Sequence, residues 1–223
     1  MNRSVSTFRH AHIHGFSSNA QSSKGLYLAE RFEGRGLDLV LPELNQPSFE
    51  EITFGNALEA IATMDVEHGD SSIPWRISAS SMGAYLVSLW AQENPEKVDR
   101  LCLMSPAFGL GERFVDLVGE DAMARWEDDG ELPLPGPDDE LRSVHWRLVE
   151  EAAHYPTHPE VPCSTVIVHG RGDETISVES SRHYAQDRDH VRLIEVDDDH
   201  SLENSLELLW DVICEHFEFS EPR

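Results

Sequence analysis

Two spacings of hydrophobic residues alternate along the chain. Short apolar runs, some with a two-residue period, indicate strands, and longer segments with apolar residues three or four positions apart indicate helices. The predicted strands cover six segments: Phe8–His14, Leu37–Leu41, Ile73–Ala79, Arg100–Met104, Val166–His169 and Val191–Val196. The predicted helices outside these strands cover Ala20–Phe32, Phe54–Met64, a segment from Met82 to about Asn94, and Leu202–Phe217. Strands that alternate with helices predict an α/β protein with a mostly parallel central sheet of about six strands, flanked by helices.

One segment, from about residue 107 to about residue 162, interrupts this alternation. It is rich in proline and acidic residues and shows no strand pattern. Within it, Leu132–Pro137 (LPLPGP) is expected to form a rigid loop and Glu140–Ala153 a helix. We interpret the segment as a helical, cap-like insertion between the fourth and fifth strands. Residues 1–223 then form a single domain that carries this insertion.

The third predicted strand and the helix after it enclose a sharp turn in the stretch WRISASSMGAY. Ser81 has small residues two positions before and two positions after it, Ala79 and Gly83. Such neighbours let a strand and a helix approach closely, as in a nucleophile elbow, where a serine hydroxyl is exposed on the turn. Ser78 and Ser80 each lack one small neighbour. The alternative is a polar turn with a helix-capping serine, and Ala79 replaces the usual glycine of the elbow.

Two more polar residues lie just beyond the ends of later strands. Asp173 follows the fifth predicted strand in HGRGDE, and His200 follows the sixth in DDDHSL. A serine nucleophile needs a base, and the base needs an orienting acid; after a nucleophile elbow they follow in the order acid, then histidine. Alone, Asp173 could be a turn residue and His200 an exposed loop residue, and Glu174 is a weaker candidate for the acid. Their shared order and strand-end positions favour a catalytic interpretation.

Serine catalysis by this scheme also needs two backbone N–H groups that face the negative charge of the reacting oxygen. Met82, the residue after the candidate nucleophile, offers one. The loop after the first strand offers the second at Phe16, because Gly15 lets that loop approach closely. His169, at the end of the fifth strand, is expected to brace the turn that carries Asp173.

The segments HIHGFSS, SASSMGAYL, HGRGDETISV and DDDHSL together resemble the α/β-hydrolase superfamily. The early HGF loop and the short chain resemble the small bacterial YqiA-like esterases. This resemblance implies hydrolysis of carboxylic esters or thioesters through an acyl-enzyme intermediate, with no cofactor. It implies that Ser81 is the nucleophile, His200 the base and Asp173 the orienting acid, with Phe16 and Met82 as oxyanion donors. The insertion carries no assignable motif, so the acyl chain and the leaving group stay open.

Acidic residues dominate the charge of the chain: 42 Asp and Glu face 17 Lys and Arg, which gives a net charge of −25 at pH 7. Such a surface repels nucleic acid and anionic membranes, so we expect neither as a partner. The partner that the resemblance implies is a small-molecule ester. The charge fits either adaptation to high salt or compositional drift. The three cysteines form no C-x-x-C motif, the N-terminus lacks an apolar signal region, and no apolar run is long enough to span a bilayer. These features predict a cytoplasmic protein.

Two other functions stay open. His10, His12 and His14 alternate along the first strand and share one face, so a metal-dependent hydrolase is possible. A hydrolase fold can also serve as a non-catalytic binding protein. In the insertion, the aromatic residues Phe108, Trp126 and Trp146 are candidates for an apolar substrate pocket, with packing of the insertion against the body as the alternative. No metal site is expected if the serine mechanism holds.

Overall fold

The structure, a computed structural model, describes residues 8–219, and these contain seven strands. The strands are β1 (Arg9–Ile13), β2 (Trp75–Ser80), β3 (Val98–Met104), β4 (Glu131–Pro135), β5 (Leu141–His145), β6 (Ser164–Gly170) and β7 (Val191–Val196). Five of them form a parallel sheet in the order β1-β2-β3-β6-β7, and β4 and β5 form a separate antiparallel hairpin. The predicted fold class, a mostly parallel sheet flanked by helices, is therefore confirmed.

Helices cover both faces of the parallel sheet. They are α1 (Ser23–Glu33), α2 (Phe54–Glu67), α3 (Ser81–Glu93), α4 (Leu110–Val118), α5 (Glu120–Asp129), α6 (Arg147–Ala152), α7 (Val178–Gln186) and α8 (Leu206–His216), with a 3₁₀ turn at Glu203–Ser205. Side-chain caps start several of them, such as the Thr53 hydroxyl that accepts from the Asn56 N–H at 3.1 Å. A large core lies between the sheet, α2, α3 and the insertion, and a smaller one lies beneath α1 and α8.

The predicted strand Leu37–Leu41 is wrong, because only Val40 pairs with β1. Val40 N–H donates to His10 O, and Val40 O accepts from His12 N–H, both at 2.9 Å. The next donor in a parallel ladder would be the N–H of residue 42, and Pro42 has none. The central sheet of the described residues therefore has five strands rather than six.

The insertion also differs from its prediction, since it contains the β4–β5 hairpin. Leu132 of β4 is buried opposite Val144 of β5, with the strands paired from Glu131–His145 to Pro135–Leu141. The prolines of β4 are tolerated because a two-stranded hairpin leaves one side of each strand without a partner. The predicted helix Glu140–Ala153 is thus wrong over its first half, and only α6 forms in the second half.

The parallel sheet places the carboxyl ends of β1, β2, β6 and β7 along one edge. Every residue of the candidate catalytic set lies just beyond this edge: Phe16, Asp173 and His200 in loops, and Ser81 and Met82 at the start of α3. Within residues 8–219, none of the helices combines the length and the apolar character that crossing a membrane requires.

Candidate active site

Ser81 lies at the tight turn between β2 and α3. Its backbone is left-handed, with φ 51°, a conformation that is costly for a residue with a Cβ. The turn is held by the Ser81 carbonyl, which accepts from Ala107 N–H at 3.1 Å. Gly83 must be glycine here, because a Cβ would lie 2.1 Å from the carbonyl oxygen of His14 at the end of β1. Ala79, the other small position, is fully buried in the large core.

His200 connects Ser81 to Asp173. Its Nε2 lies 3.0 Å from Ser81 Oγ, and its Nδ1 lies 2.7 Å from Asp173 Oδ2. A carboxylate only accepts, so Nδ1 carries the proton and Nε2 is free to accept from the serine hydroxyl. His200 and Ser81 are half-buried, whereas the Asp173 side chain is fully buried. The hydroxyl, the imidazole and the carboxylate are thus joined by two consecutive hydrogen bonds.

Both carboxylate oxygens of Asp173 have two donors. Oδ1 accepts from the N–H groups of Thr175 at 2.9 Å and Ile176 at 2.7 Å, and Oδ2 accepts from His200 and from His169 Nε2 at 3.1 Å. Burial alone would raise the pKa of Asp173, but the hydrogen bonds from His169, His200 and Ile176 outweigh it and hold the pKa well below its ordinary value. Asp173 is therefore a carboxylate at neutral pH.

His169 contacts the Asp173 turn, as the sequence predicts. Its Nε2–H is shared between Asp173 Oδ2 and the Ile176 carbonyl at 2.9 Å, so its Nδ1 accepts from Ser181 Oγ–H at 2.7 Å. Both His169 and Ser181 are fully buried. Ser181 was not predicted from the sequence, where its only signal is its place between Val178 and Tyr184 on the buried face of α7.

The two candidate oxyanion donors belong to the segments next to Ser81: Phe16 to the loop after β1 and Met82 to the first turn of α3. Among the described residues, no acceptor takes the N–H of Phe16. Met82 is the second residue of α3, where backbone N–H groups have no partner within the helix. The loop of Phe16 runs close to the nucleophile, since a Cβ at Gly15 would lie 3.7 Å from Ser81 Oγ. The Phe16 ring packs on Phe49 with the ring centroids 4.9 Å apart.

The three aromatic residues predicted for a substrate pocket all make packing contacts. Phe108 is buried and stacks on Tyr184 at 4.1 Å, and Trp126 is buried with its Nε1–H donated to Val144 O at 2.8 Å. Trp146 is half-buried against Trp126, with the ring centroids 6.0 Å apart. The stacking of Phe108 on Tyr184 joins the insertion to the body of the protein, whereas Trp126 and Trp146 pack within the insertion itself.

His10 and His12 of β1 and His14 just after it do not converge on one point. His10 packs among the rings of Phe32, Phe217 and Phe219, and His12 Nδ1 meets Ser78 Oγ at 3.0 Å. Burial lowers the pKa of His10 to about 4 and that of His12 to about 3.

His14, the third of them, is bonded to backbone groups at both ring nitrogens. Within residues 8–219, no three histidine, cysteine or acidic side chains are grouped to hold a metal ion. The metal-dependent alternative thus has no support in this geometry.

The sequence matches one family model, described as an uncharacterised protein family (UPF0227), over residues 10–217. This chain belongs to UPF0227. The match covers all four segments that carry the resemblance to the α/β-hydrolase superfamily. Comparison of this UPF0227 member with curated proteins gives no match.

Solved structures show the same fold as this UPF0227 member. Alpha/beta hydrolase domain-containing protein 10 from mouse has 20% sequence identity and a TM-score of 0.77, with 98% of this chain and 92% of that chain covered. Est1E from Butyrivibrio proteoclasticus, with ferulic acid bound, has 20% identity and a TM-score of 0.78, with 96% and 90% covered. At this identity the likeness shows the fold.

Proposed function

We propose that this protein is a serine hydrolase that cleaves carboxylic esters or thioesters of small molecules through an acyl-enzyme intermediate. The observation that carries the proposal is the chain of hydrogen bonds from Ser81 Oγ through His200 to Asp173, at 3.0 and 2.7 Å. The nucleophile–base and base–acid contacts have the distances that this mechanism needs. Neighbours with the same fold include proteins named as lipolytic enzymes and a pyrethroid hydrolase, which supports hydrolysis.

In the first half of the reaction, Ser81 Oγ forms a bond to the carbonyl carbon of the substrate while its proton passes to His200 Nε2. The negative charge on the carbonyl oxygen is met by the N–H groups of Met82 and Phe16. Asp173 stabilises the imidazolium without taking its proton. When the tetrahedral intermediate collapses, the bond to the alcohol or thiol breaks, and His200 donates the proton to this leaving group.

In the second half, water replaces the leaving group. His200 takes one proton from the water as its oxygen bonds to the acyl carbon, and a second oxyanion forms at the same two N–H groups. Collapse then breaks the bond to Ser81 Oγ, which regains a proton from His200. The products are a carboxylic acid and the free enzyme, and the proton balance closes without a cofactor.

We also propose that the insertion is a cap that helps to select the substrate. Its hairpin contacts the oxyanion loop, since Ser17 Oγ–H donates to Pro135 O at 2.6 Å. It also contacts the segment beneath this loop, where His145 N–H donates to Glu50 O at 2.9 Å. Hydrolysis rates for p-nitrophenyl esters and coenzyme A thioesters of graded chain length would define the acyl group and the leaving group.

Labelling by a fluorophosphonate probe tests the proposal directly, because the probe reacts with an activated serine. We expect the wild type to be labelled and Ser81→Ala to be unlabelled, with a fall in ester hydrolysis of several orders of magnitude, about 10³-fold or more. Ser80→Ala is the matched control: Ser80 is the preceding residue, and its hydroxyl meets Lys24 Nζ at 3.4 Å instead of His200. A folded wild type that is neither labelled nor active would favour the non-catalytic binding protein.

A further inference from the structure

The peptide bond between Gly15 and Phe16 carries the second candidate oxyanion donor, and a side chain fixes its orientation. The ring nitrogen Nδ1 of His14 lies 2.8 Å from the Gly15 carbonyl oxygen. A carbonyl only accepts, so Nδ1 carries a proton and donates it. This peptide is trans, and in a planar trans peptide the C=O and N–H groups point in opposite directions. A bond that holds the Gly15 carbonyl therefore also aims the Phe16 N–H.

The imidazole of His14 is itself held at its other nitrogen. It is buried, and its Nε2 lies 3.0 Å from the Leu44 backbone nitrogen and 3.1 Å from Glu43 Oε1. Burial alone would raise the pKa of Glu43, but hydrogen bonds from His14 and from the N–H groups of Asn45 and Ala20 lower it to about 2. Leu44 N–H is a donor and Glu43 Oε1 an acceptor, so either group can pair with Nε2 while Nδ1–H stays bonded to the Gly15 carbonyl.

The same residue also links the oxyanion loop to the nucleophile elbow. The His14 carbonyl oxygen lies where a Cβ on Gly83 would come within 2.1 Å, so the backbone of His14 packs directly on the first turn of α3. The side chain and the main chain of one residue thus set the position of the loop relative to Ser81. Phe49, beneath the Phe16 ring, supports the loop from the other side.

We propose that His14 is a positioning residue of the oxyanion hole, whose Nδ1–H bond to Gly15 O turns the Phe16 N–H toward the carbonyl oxygen of the substrate. This inference rests on the proposed serine hydrolase function. Without the bond, the peptide can rotate and the donor is lost for part of the time. Loss of one oxyanion donor typically lowers kcat by about 10²- to 10³-fold, so we expect about 10- to 100-fold for its misorientation.

Two amide variants separate the roles of the two ring nitrogens. In His14→Asn the amide nitrogen takes the place of Nδ1, and in His14→Gln it takes the place of Nε2. We expect His14→Asn to keep kcat within about fivefold of the wild type. We expect His14→Gln to lose about 10- to 100-fold in kcat, with little change in KM, because the oxyanion exists only in the transition state and the intermediates. Fluorophosphonate labelling should slow in the same order.

If His14 had only a structural role, kcat would be higher in His14→Gln than in His14→Asn, because only His14→Gln keeps a polar group near Leu44 and Glu43. Equal kcat in both variants, or a higher kcat in His14→Gln, would overturn the proposal. Glu43→Gln is the control, because it alters the Nε2 side alone and should keep kcat near the wild-type value. If His14→Asn does not fold, the same loss of kcat in Glu43→Gln as in His14→Gln would contradict the proposal, and a loss in His14→Gln alone would support it.

The outcome also distinguishes this inference from the proposed function. A wild type without esterase activity or labelling would remove the proposed function itself. If the activity of the wild type depends on Ser81, but His14→Asn and His14→Gln have the same kcat, the proposed function stands and only the role of His14 is refuted. Thermal unfolding of each variant shows how much of any loss comes from unfolded protein.

Discussion

At the scale of single residues, Asp173 is the side chain of the candidate site whose hydrogen-bond partners are the most complete. Two backbone N–H groups and two imidazoles occupy both of its oxygens, and its side chain is fully buried. A buried carboxylate is stable only when such donors compensate for its lost hydration. The same donors fix the plane of the carboxylate, and this plane sets the direction in which His200 points.

Replacing this carboxylate by an amide should disable the site while preserving its shape. In Asp173→Asn the amide no longer stabilises the imidazolium of His200, and its N–H₂ group can favour the wrong tautomer. We expect kcat for ester hydrolysis to fall by about 10³- to 10⁴-fold, as in serine proteases. Glu174→Gln, at the exposed neighbouring acid, should retain the activity of the wild type. Equal losses in the two variants would contradict the assignment of Asp173 as the orienting acid.

The lowered pKa of Asp173 also predicts how stability depends on pH. The pKa of Asp173 is lower in the folded state than in the unfolded state, so the ionised carboxylate stabilises the fold. This stabilisation is complete above the ordinary aspartate pKa of about 3.9 and is lost as the pH falls below it. The difference in unfolding free energy between the wild type and Asp173→Asn should therefore shrink from neutral pH to about pH 3. Urea unfolding of both proteins measures it, and a constant difference would refute the link.

The sequence predicts those residues of the candidate site whose role follows from their position at the end of a strand. Ser81, Asp173 and His200 each follow a strand, so their order alone predicts that they meet. His169 could be placed for the same reason. Ser181 could not, because its role depends on which face of α7 packs against β6, and this contact is set by the fold rather than by a local pattern.

At the scale of elements, tertiary contacts overrode local patterns in two places. Leu37–Leu41 has the composition of a strand, yet Pro42 removes the donor that would extend its pairing with β1. The hairpin shows the opposite case. Its first strand, Glu131–Pro135, resembles a proline-rich loop until β5 pairs with it. The spacing of hydrophobic residues reflects only local preference. It therefore shows neither that Pro42 lacks the N–H needed for strand pairing nor that β4 has a pairing partner in β5.

The elbow is an element whose two small positions should respond differently to substitution. Gly83→Ala would place a Cβ 2.1 Å from His14 O, so α3 must shift; we expect a loss of about 1–3 kcal/mol in stability and a clear loss of activity. Ala79→Gly removes one buried methyl group from β2 and should cost about 1 kcal/mol with activity retained. Urea unfolding and ester hydrolysis of both variants test this. If Ala79→Gly were the more damaging change, the departure from the usual glycine would be functional.

At the scale of the whole molecule, the dominant physical property is the net charge of −25. Many arginines already meet more than one acid: Arg142 pairs with Asp138, Glu50 and Glu140, and Arg182 with Glu179 and Glu195. Acidic residues outnumber basic ones by more than two to one, so the basic side chains are too few to neutralise all the carboxylates. Their mutual repulsion weakens the folded state, where they are closer together than in the unfolded chain.

Screening should relieve this repulsion, because the Debye length falls from about 10 Å at 0.1 M salt to about 3 Å at 1 M. We therefore expect the Tm to rise between low and molar sodium chloride. Each kcal/mol of stabilisation raises the Tm of a chain of this length by about 2–4 °C, so a gain of a few kcal/mol is readily measured. An unchanged Tm would favour compositional drift over adaptation to salt.

The choice of salt separates screening from a general strengthening of apolar burial. Sulfate stabilises most proteins by exclusion from their surface, whereas screening depends on ionic strength. If repulsion is the cause, most of the rise in Tm should appear by moderate ionic strength and be similar for sodium chloride and sodium sulfate at equal ionic strength. It should also fade at acidic pH, where protonation removes the carboxylate charges that repel one another. A rise that appears only in sulfate, and persists at acidic pH, would show that the surface charge is not what salt stabilises.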